Sequence, residues 1–250
     1  MARAATFEHR IFTIGQLSVI SRQDIQLIFA AARAWLSGLA ALVILAIGLR
    51  IVSTFGWYFP PNFQGGFLAG RDTYFWRSAY GIGFYLHIIG APIALLTGLP
   101  QFSRLLLRAS PRLHRTLGKT YALSVLIAAA PGGFIMGFWS RGGVPAMVCF
   151  IAMSLLVAVF TVLAWRTALQ RRFESHRKWM TRSYLVMISA VLLRLIDPAL
   201  RRSGVPDELS YQISVWLSWV PSLVIFEVIE RIRNAPLVHH EDSGRAQALR

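Results

Sequence analysis

The chain has 250 residues, of which 55% are hydrophobic and only 15% charged, and its formal net charge is +15. With a mean hydropathy of +0.52, it is too apolar for an ordinary soluble domain, whose charged share is nearer about 25%. Its one cysteine, Cys149, excludes an intramolecular disulfide, a Cys-x-x-Cys-His haem attachment and any iron–sulfur cluster held by the chain's own thiolates.

Residues 1–33 are polar enough that no cleavable signal is read ahead of the first apolar run, which is expected to stay as an anchor. Within them, Ser21-Arg22-Gln23-Asp24 has the Ser-x-x-acid form of a helix start, ahead of Ile25, Ile28 and Phe29. That pattern predicts an amphipathic helix over 22–33, lying at the interface or leading into the first span. Six apolar runs follow, at about 34–55, 78–99, 111–140, 144–165, 179–197 and 209–229. Each matches the ~20 apolar residues that cross a hydrocarbon core. The expected fold is all-α: a polytopic six-helix transmembrane bundle over 34–231, with a cytoplasmic segment at 1–33 and a mobile tail at 232–250.

Positive charge sits on every second loop. Of the 26 Lys+Arg residues, four precede the first run, five lie in 104–119, six in 166–182 and four in 231–250, whereas the alternate loops hold only Arg71, Arg77, Arg141, Arg201 and Arg202. That bias predicts cytoplasmic N- and C-termini in a bacterial inner (plasma) membrane. Anionic lipid headgroups at the cytoplasmic face then account for the charge, and nucleic acid is not an expected partner.

The loop at 56–77 carries Pro60-Pro61, Gly65-Gly66 and eight aromatic residues from Trp57 to Trp76. Such residues are expected as an interfacial belt, and the length of the loop makes it the expected lid of its face. Span three begins at Ser110-Pro111, a cap followed by proline at the first helical position. Pro131-Gly132-Gly133 then predicts a kink or the start of its end. Span five is expected to begin near Ser175 and to stop at Pro198. Cys149, in span four, reads as a small buried hydrophobe.

Among residues able to carry chemistry, His87 is the histidine deepest inside a span, where an ionisable group is costly and so a functional candidate. It shares a helix stripe with Gly83, Gly90, Ala94 and Gly98. Two readings of that stripe stand: a gap for a flat macrocycle beside the imidazole, or a second helix packed closely across small residues. His114 and His176 fall in the first turns of spans three and five. The positive end of a helix disfavours imidazolium there and leaves a neutral ring able to bind metal. Arg115 and Arg177 follow them, and with free amide N–H groups they suit a haem propionate, a phosphate or a lipid headgroup. Interfacial anchoring is the structural alternative. Arg194 and Asp197, three residues apart, predict a local ion pair, and helix rise puts Arg194 near the depth of His87. Glu227 is expected to meet Arg182 or Arg115, as an ion pair or as a proton relay. No nucleophile–base set, Gly-rich phosphate loop or zinc spacing appears.

Leu86-His87-x-x-Gly90, Gly98-x-x-Gln101-Phe102, Leu113-His114-Arg115-x-x-Gly118-x-x-Tyr121 and His176-Arg177-x-Trp179-Met180-x-Arg182-Ser183-Tyr184 with Leu193-Arg194 resemble a family of bacterial six-span membrane proteins known as a domain of unknown function. Pro221-Ser222 departs from the asparagine expected ahead of the glutamate in its last span. The resemblance implies the multi-span fold and a membrane location, and no established reaction. The chain is similar more loosely to the two-haem cytochrome b class. That likeness implies one haem b, with His114 and His176 as iron ligands, Arg115 and Arg177 at its propionates, and His87 as a further cofactor contact. Three functions are therefore carried forward: haem-b electron transfer, an accessory or scaffold subunit of a larger membrane complex, and a small-molecule or lipid-headgroup binder or transporter.

Overall fold

A computed structural model of the protein describes residues 22–234. The expected start at Ser21, the rest of the 1–21 segment and residues 235–250 of the expected tail lie outside the described residues. Among the described residues the regular structure is helical, joined by turns and loops, with one isolated bridge between Tyr58 and Pro61. Six stretches are long and apolar enough to cross a membrane: Ala30–Trp57, Tyr80–Phe102, Pro111–Gly137, Gly143–Leu169, Phe173–Arg202 and Asp207–Asn234. The all-α, six-span class is the one expected. Most helices run a few residues past their apolar run, since backbone hydrogen bonding continues where hydropathy falls.

Two units are described separately. In the first, residues 22–42 are one uninterrupted helical stretch, so the segment over 22–33 leads directly into the first span. Its described apolar side chains, Trp35 and Leu39 among them, are exposed, as suits a helix facing lipid tails. The second unit begins at Val43 and holds the end of the first span and the other five.

Spans two and three cross at backbone contact. A Cβ on Gly90 would stand 2.5 Å from Ala128 Cβ, one on Gly83 would stand 2.6 Å from Ile135 Cγ2, and one on Gly132 would stand 2.5 Å from the Gly83 carbonyl oxygen. Without an internal hydrophobic driving force, membrane helices associate by such close packing. Of the two readings of the Gly83–Gly98 stripe, close packing by a second helix is the one observed at Gly83 and Gly90.

Span three is kinked where its sequence predicts, one turn before the proline. Helix Pro111–Leu123 passes into a π-helical turn, Ser124–Ala129, and resumes as Ala130–Gly137. The widened turn absorbs the missing N–H and the ring of Pro131. Span five departs from expectation. Helix Phe173–Met187 breaks at Ile188, and a second helix, Ser189–Arg202, carries Pro198 inside it. Proline removes one hydrogen bond, yet the residue just before it is held from outside: Ser210 Oγ lies 3.0 Å from the Asp197 carbonyl and 2.9 Å from its carboxylate, and its one proton goes to either.

The main core gathers Leu95, Tyr121, Val125, Cys149, Val191, Val215 and Trp219. Cys149 is fully buried, and its sulfur accepts from Trp219 Nε1 at 3.2 Å. Hydroxyl groups stitch three spans together: Ser183 Oγ lies 2.6 Å from Tyr121 Oη and 2.7 Å from Thr161 Oγ1. The loop after span one is more than an aromatic belt. It folds through the short helix Asp72–Phe75 and buries Leu68 and Phe75 with Tyr80 and Phe84 in a second cluster. Trp57, Phe59 and Trp76 stay exposed.

Candidate functional site

The connections 58–79, 138–142 and 203–206 share one end of the bundle, the loop end; those at 103–110 and 170–172 share the other, the basic end. A cavity of about 290 Å³ opens among the spans toward the loop end. Ala91 and Leu95 from span two, Val157 from span four and Leu193 from span five form its apolar wall, and His87, Arg71, Arg141 and Arg194 its charged part.

His87 reaches it from the crossing of spans two and three. Its Nδ1 lies 2.9 Å from the Ala129 carbonyl, at the end of the π-helical turn. A carbonyl only accepts, so Nδ1 carries the proton and Nε2 keeps its lone pair. Among the described residues Nε2 makes no hydrogen bond.

Arg194 does not pair with Asp197 as its spacing predicts. Its Nη1 donates to the Ala190 carbonyl of its own helix at 2.7 Å, and its guanidinium acts on His87 as a neighbouring charge. Asp197 is claimed instead by Arg201, by Ser210 and, at 3.8 Å, by Arg141. The reason is orientation: Asp197 is buried toward span six, where Ser210 waits, while Arg194 turns to the cavity. Arg141 is also held 3.6 Å from Asp207 and stacks 4.5 Å above the Tyr211 ring. Arg71 comes from the folded loop; its Nε donates to the Phe67 carbonyl and its Nη1 to Tyr74 Oη, both at 2.8 Å.

No aspartate or glutamate lines the cavity. Among the described residues, neither Arg71 nor Arg194 has a carboxylate at ion-pair distance. The buried hydroxyl of Tyr80, also in the wall, has no hydrogen-bond partner there either. The shared depth of His87 and Arg194 was legible from helix rise. Arg71, Tyr80 and Tyr211 were not, because nothing in their local sequence marks them.

The basic end is built differently. His114 and His176 do fall in the first turns of Pro111–Leu123 and Phe173–Met187, and Ser110 Oγ caps the former by accepting from Leu113 N at 3.4 Å. The two imidazoles are within electrostatic reach of each other, and their spans touch further in at Tyr121 and Ser183. Their tautomers differ. His176 Nδ1 lies 2.9 Å from the Ala164 carbonyl, which leaves Nε2 with a free lone pair. The Gln101 amide satisfies its surroundings in one orientation, with its –NH2 3.2 Å from both the His114 carbonyl and His114 Nδ1 and its oxygen 3.3 Å from Gly118 N. His114 Nδ1 then accepts, so its proton sits on Nε2, the nitrogen that most often meets iron.

Arg115 and Arg177 are exposed. Arg182 grips Glu227 with both arms, at 2.5 and 2.8 Å, under Trp179 and Phe226; of the two partners expected for Glu227, Arg182 is the one it meets. Lys178 lies 3.0 Å from both Glu174 and Glu230. Among the described residues, no three His, Cys, Asp or Glu side chains gather to hold a metal ion.

The family described as "Predicted membrane protein (DUF2306)" matches residues 84–229. The chain belongs to this family. Membership bears out the resemblance to a membrane-protein family of unknown function, and the match covers spans three to five, span two but for residues 80–83, and most of span six. His87, His114, His176 and Arg194 all lie inside the matched region, whereas Arg71 lies outside it. No curated protein and no solved structure matches the chain.

Proposed function

We propose that the protein binds an amphipathic small molecule, drawn from the bilayer, in the cavity at the loop end. The observation that carries this reading is that His87 and Arg194 both line one apolar-walled cavity. Ionisable groups at membrane depth are costly and mark binding sites or pathways. A concave, largely apolar wall with a few convergent polar groups is the usual form of a small-molecule site. Pro92 and the π-helical turn before Pro131 supply the irregular backbone that such cavities tolerate. With the basic loops cytoplasmic in an inner membrane, the cavity faces the outer side.

The test is native mass spectrometry of the full chain released from mild detergent in the presence of dodecanol. One bound molecule per chain is the expected result. Ala91→Phe, which places a ring in the cavity wall, should abolish it without lowering Tm; unchanged binding in that variant refutes the reading.

A second reading is one haem b between His114 and His176 at the basic end, with Arg115 and Arg177 toward its propionates. It is favoured by the contact of spans three and five and by the free Nε2 of His176. It requires Gln101 to release His114 Nδ1, so that His114 can change tautomer. Bound haem would supply one-electron chemistry. The measurement is a visible spectrum: a Soret band that shifts on reduction and vanishes in His176→Ala supports this reading, and colourless protein from a haem-replete host ends it.

A further inference from the structure

We infer that the head of the molecule bound at the loop end is an anion, a carboxylate or a phosphate, held by Arg194 in a cavity that Arg71 also lines; this rests on the cavity being a small-molecule site.

The argument is one of charge balance within the cavity. Among the described residues three arginines line it and no acid does. Arg141 is offset by Asp197 and Asp207 on the solvent side. Arg71 and Arg194 are offset by nothing among the described residues: their hydrogen bonds go to Phe67 and Ala190 carbonyls and to the Tyr74 hydroxyl. Those acceptors satisfy single N–H groups but carry no net charge. A guanidinium has five donors in a rigid fork, and the donors left over on Arg194 and Arg71 match the paired oxygens of a carboxylate or phosphate. Both arginines line the same cavity. With Nδ1 tied to Ala129, the Nε2 of His87 is an acceptor, able to take a hydrogen bond from the protonated oxygen of a singly ionised phosphate head.

The same balance ranks other heads lower. A cationic amphiphile would add charge of the same sign to a space that has no acid. A neutral alcohol would fill the apolar wall formed by Ala91, Leu95, Val157 and Leu193 and leave the two guanidinium charges uncompensated. A bare inorganic anion would compensate them but leave that wall uncovered. An amphipathic anion satisfies both halves of the cavity.

The experiment titrates the full chain in uncharged maltoside micelles with dodecanoate, dodecyl phosphate, dodecanol and inorganic phosphate, reading thermal stabilisation and bound stoichiometry. Dodecanoate and dodecyl phosphate should each bind one per chain, at least about tenfold tighter than dodecanol and far tighter than inorganic phosphate. Arg194→Gln should erase the preference for the charged head, while Arg194→Lys, which keeps the charge, should retain part of it; the unliganded Tm of each variant reports its folding. Arg71→Gln provides a second, independent loss. Dodecanol binding as tightly as dodecanoate, with both lost in Ala91→Phe, would overturn the anionic head and leave the cavity reading standing. Inorganic phosphate matching dodecyl phosphate would overturn the amphipathic ligand in favour of a free-anion site. No stabilisation by any amphiphile, together with an Ala91→Phe variant that behaves as the parent, would overturn both.

Discussion

The two ends of the bundle handle buried charge in opposite ways. At the basic end Arg182 is closed onto Glu227 and Lys178 onto Glu174 and Glu230, and Gln101 occupies the space beside His114. At the loop end Asp197 is drawn away to Arg201, Arg141 and Ser210, so Arg194 and Arg71 face a cavity without an acid. Paired charges hold helices together; unpaired ones inside an apolar wall are a demand for a ligand. The histidines divide along the same line. His87 and His176 each spend Nδ1 on a carbonyl and keep Nε2 free, while His114 has its Nδ1 filled by a side chain.

The largest expected effect comes from the glycine crossing that both ends depend on. Gly90→Val puts branched carbon where a single Cβ already stands 2.5 Å from Ala128, against a backbone that cannot yield. We expect a loss of about 3 kcal/mol or more, read as a fall in Tm and loss of dodecanoate binding together. A Gly90→Val protein with the parent's Tm would mean that the crossing does not hold the cavity.

Glu227→Ala tests the basic end directly. Arg182 is only 14% exposed and loses its partner, while Glu227 is 38% exposed, so the full cost of breaking a buried pair is discounted for solvent screening. About 1–2 kcal/mol of destabilisation is expected. Arg194→Gln is the counterpart at the loop end and should have the opposite sign, leaving unliganded stability unchanged or raising it by up to about 1 kcal/mol, since it removes an uncompensated charge. Equal destabilisation by the two substitutions would break the comparison between the ends.

Gln101→Leu sharpens the choice between readings. It frees His114 Nδ1 to carry the proton, so a haem held by His114 and His176 should gain occupancy in the Soret band; an unchanged, colourless preparation would count against that haem. The smallest effect belongs to Tyr80→Phe. Its hydroxyl is buried without a partner, so removing it should cost nothing or stabilise by about 1 kcal/mol, measured by chemical denaturation. A loss of stability would reveal a partner for that hydroxyl.

Several features of both ends were readable before any coordinates. The starts of spans three and five, with His114 and His176 in their first turns, follow from the Ser110-Pro111 cap and the return of apolar periodicity. That Glu227 would meet Arg182 or Arg115 was readable from their placement at a common end of the helices; that it meets Arg182 was decided by the packing. The pairing of Arg194 with Asp197 was misjudged because local spacing says which groups are able to meet and not which competitor is nearer. Arg201 one turn on, and Ser210 from the next span, outbid it. Pro198 was misjudged for a related reason: a proline weakens a helix locally, but bonds arriving from span six decide whether the helix continues.

By itself, the sequence determined that this is a six-span helical membrane protein, because hydropathy over ~20 residues is a local property of each segment and needs no partner. It also marked the irregular stretch near Pro131, though not the break at Ile188, and placed His87 and Arg194 at similar depth. Only the tertiary structure decided that the Gly83–Gly98 stripe is filled by span three, that Gln101 holds His114, and that His87, Arg71 and Arg194 share one cavity while the acids turn elsewhere. Those outcomes depend on which helix stands beside which, and on competition among side chains far apart in the chain for the same few partners.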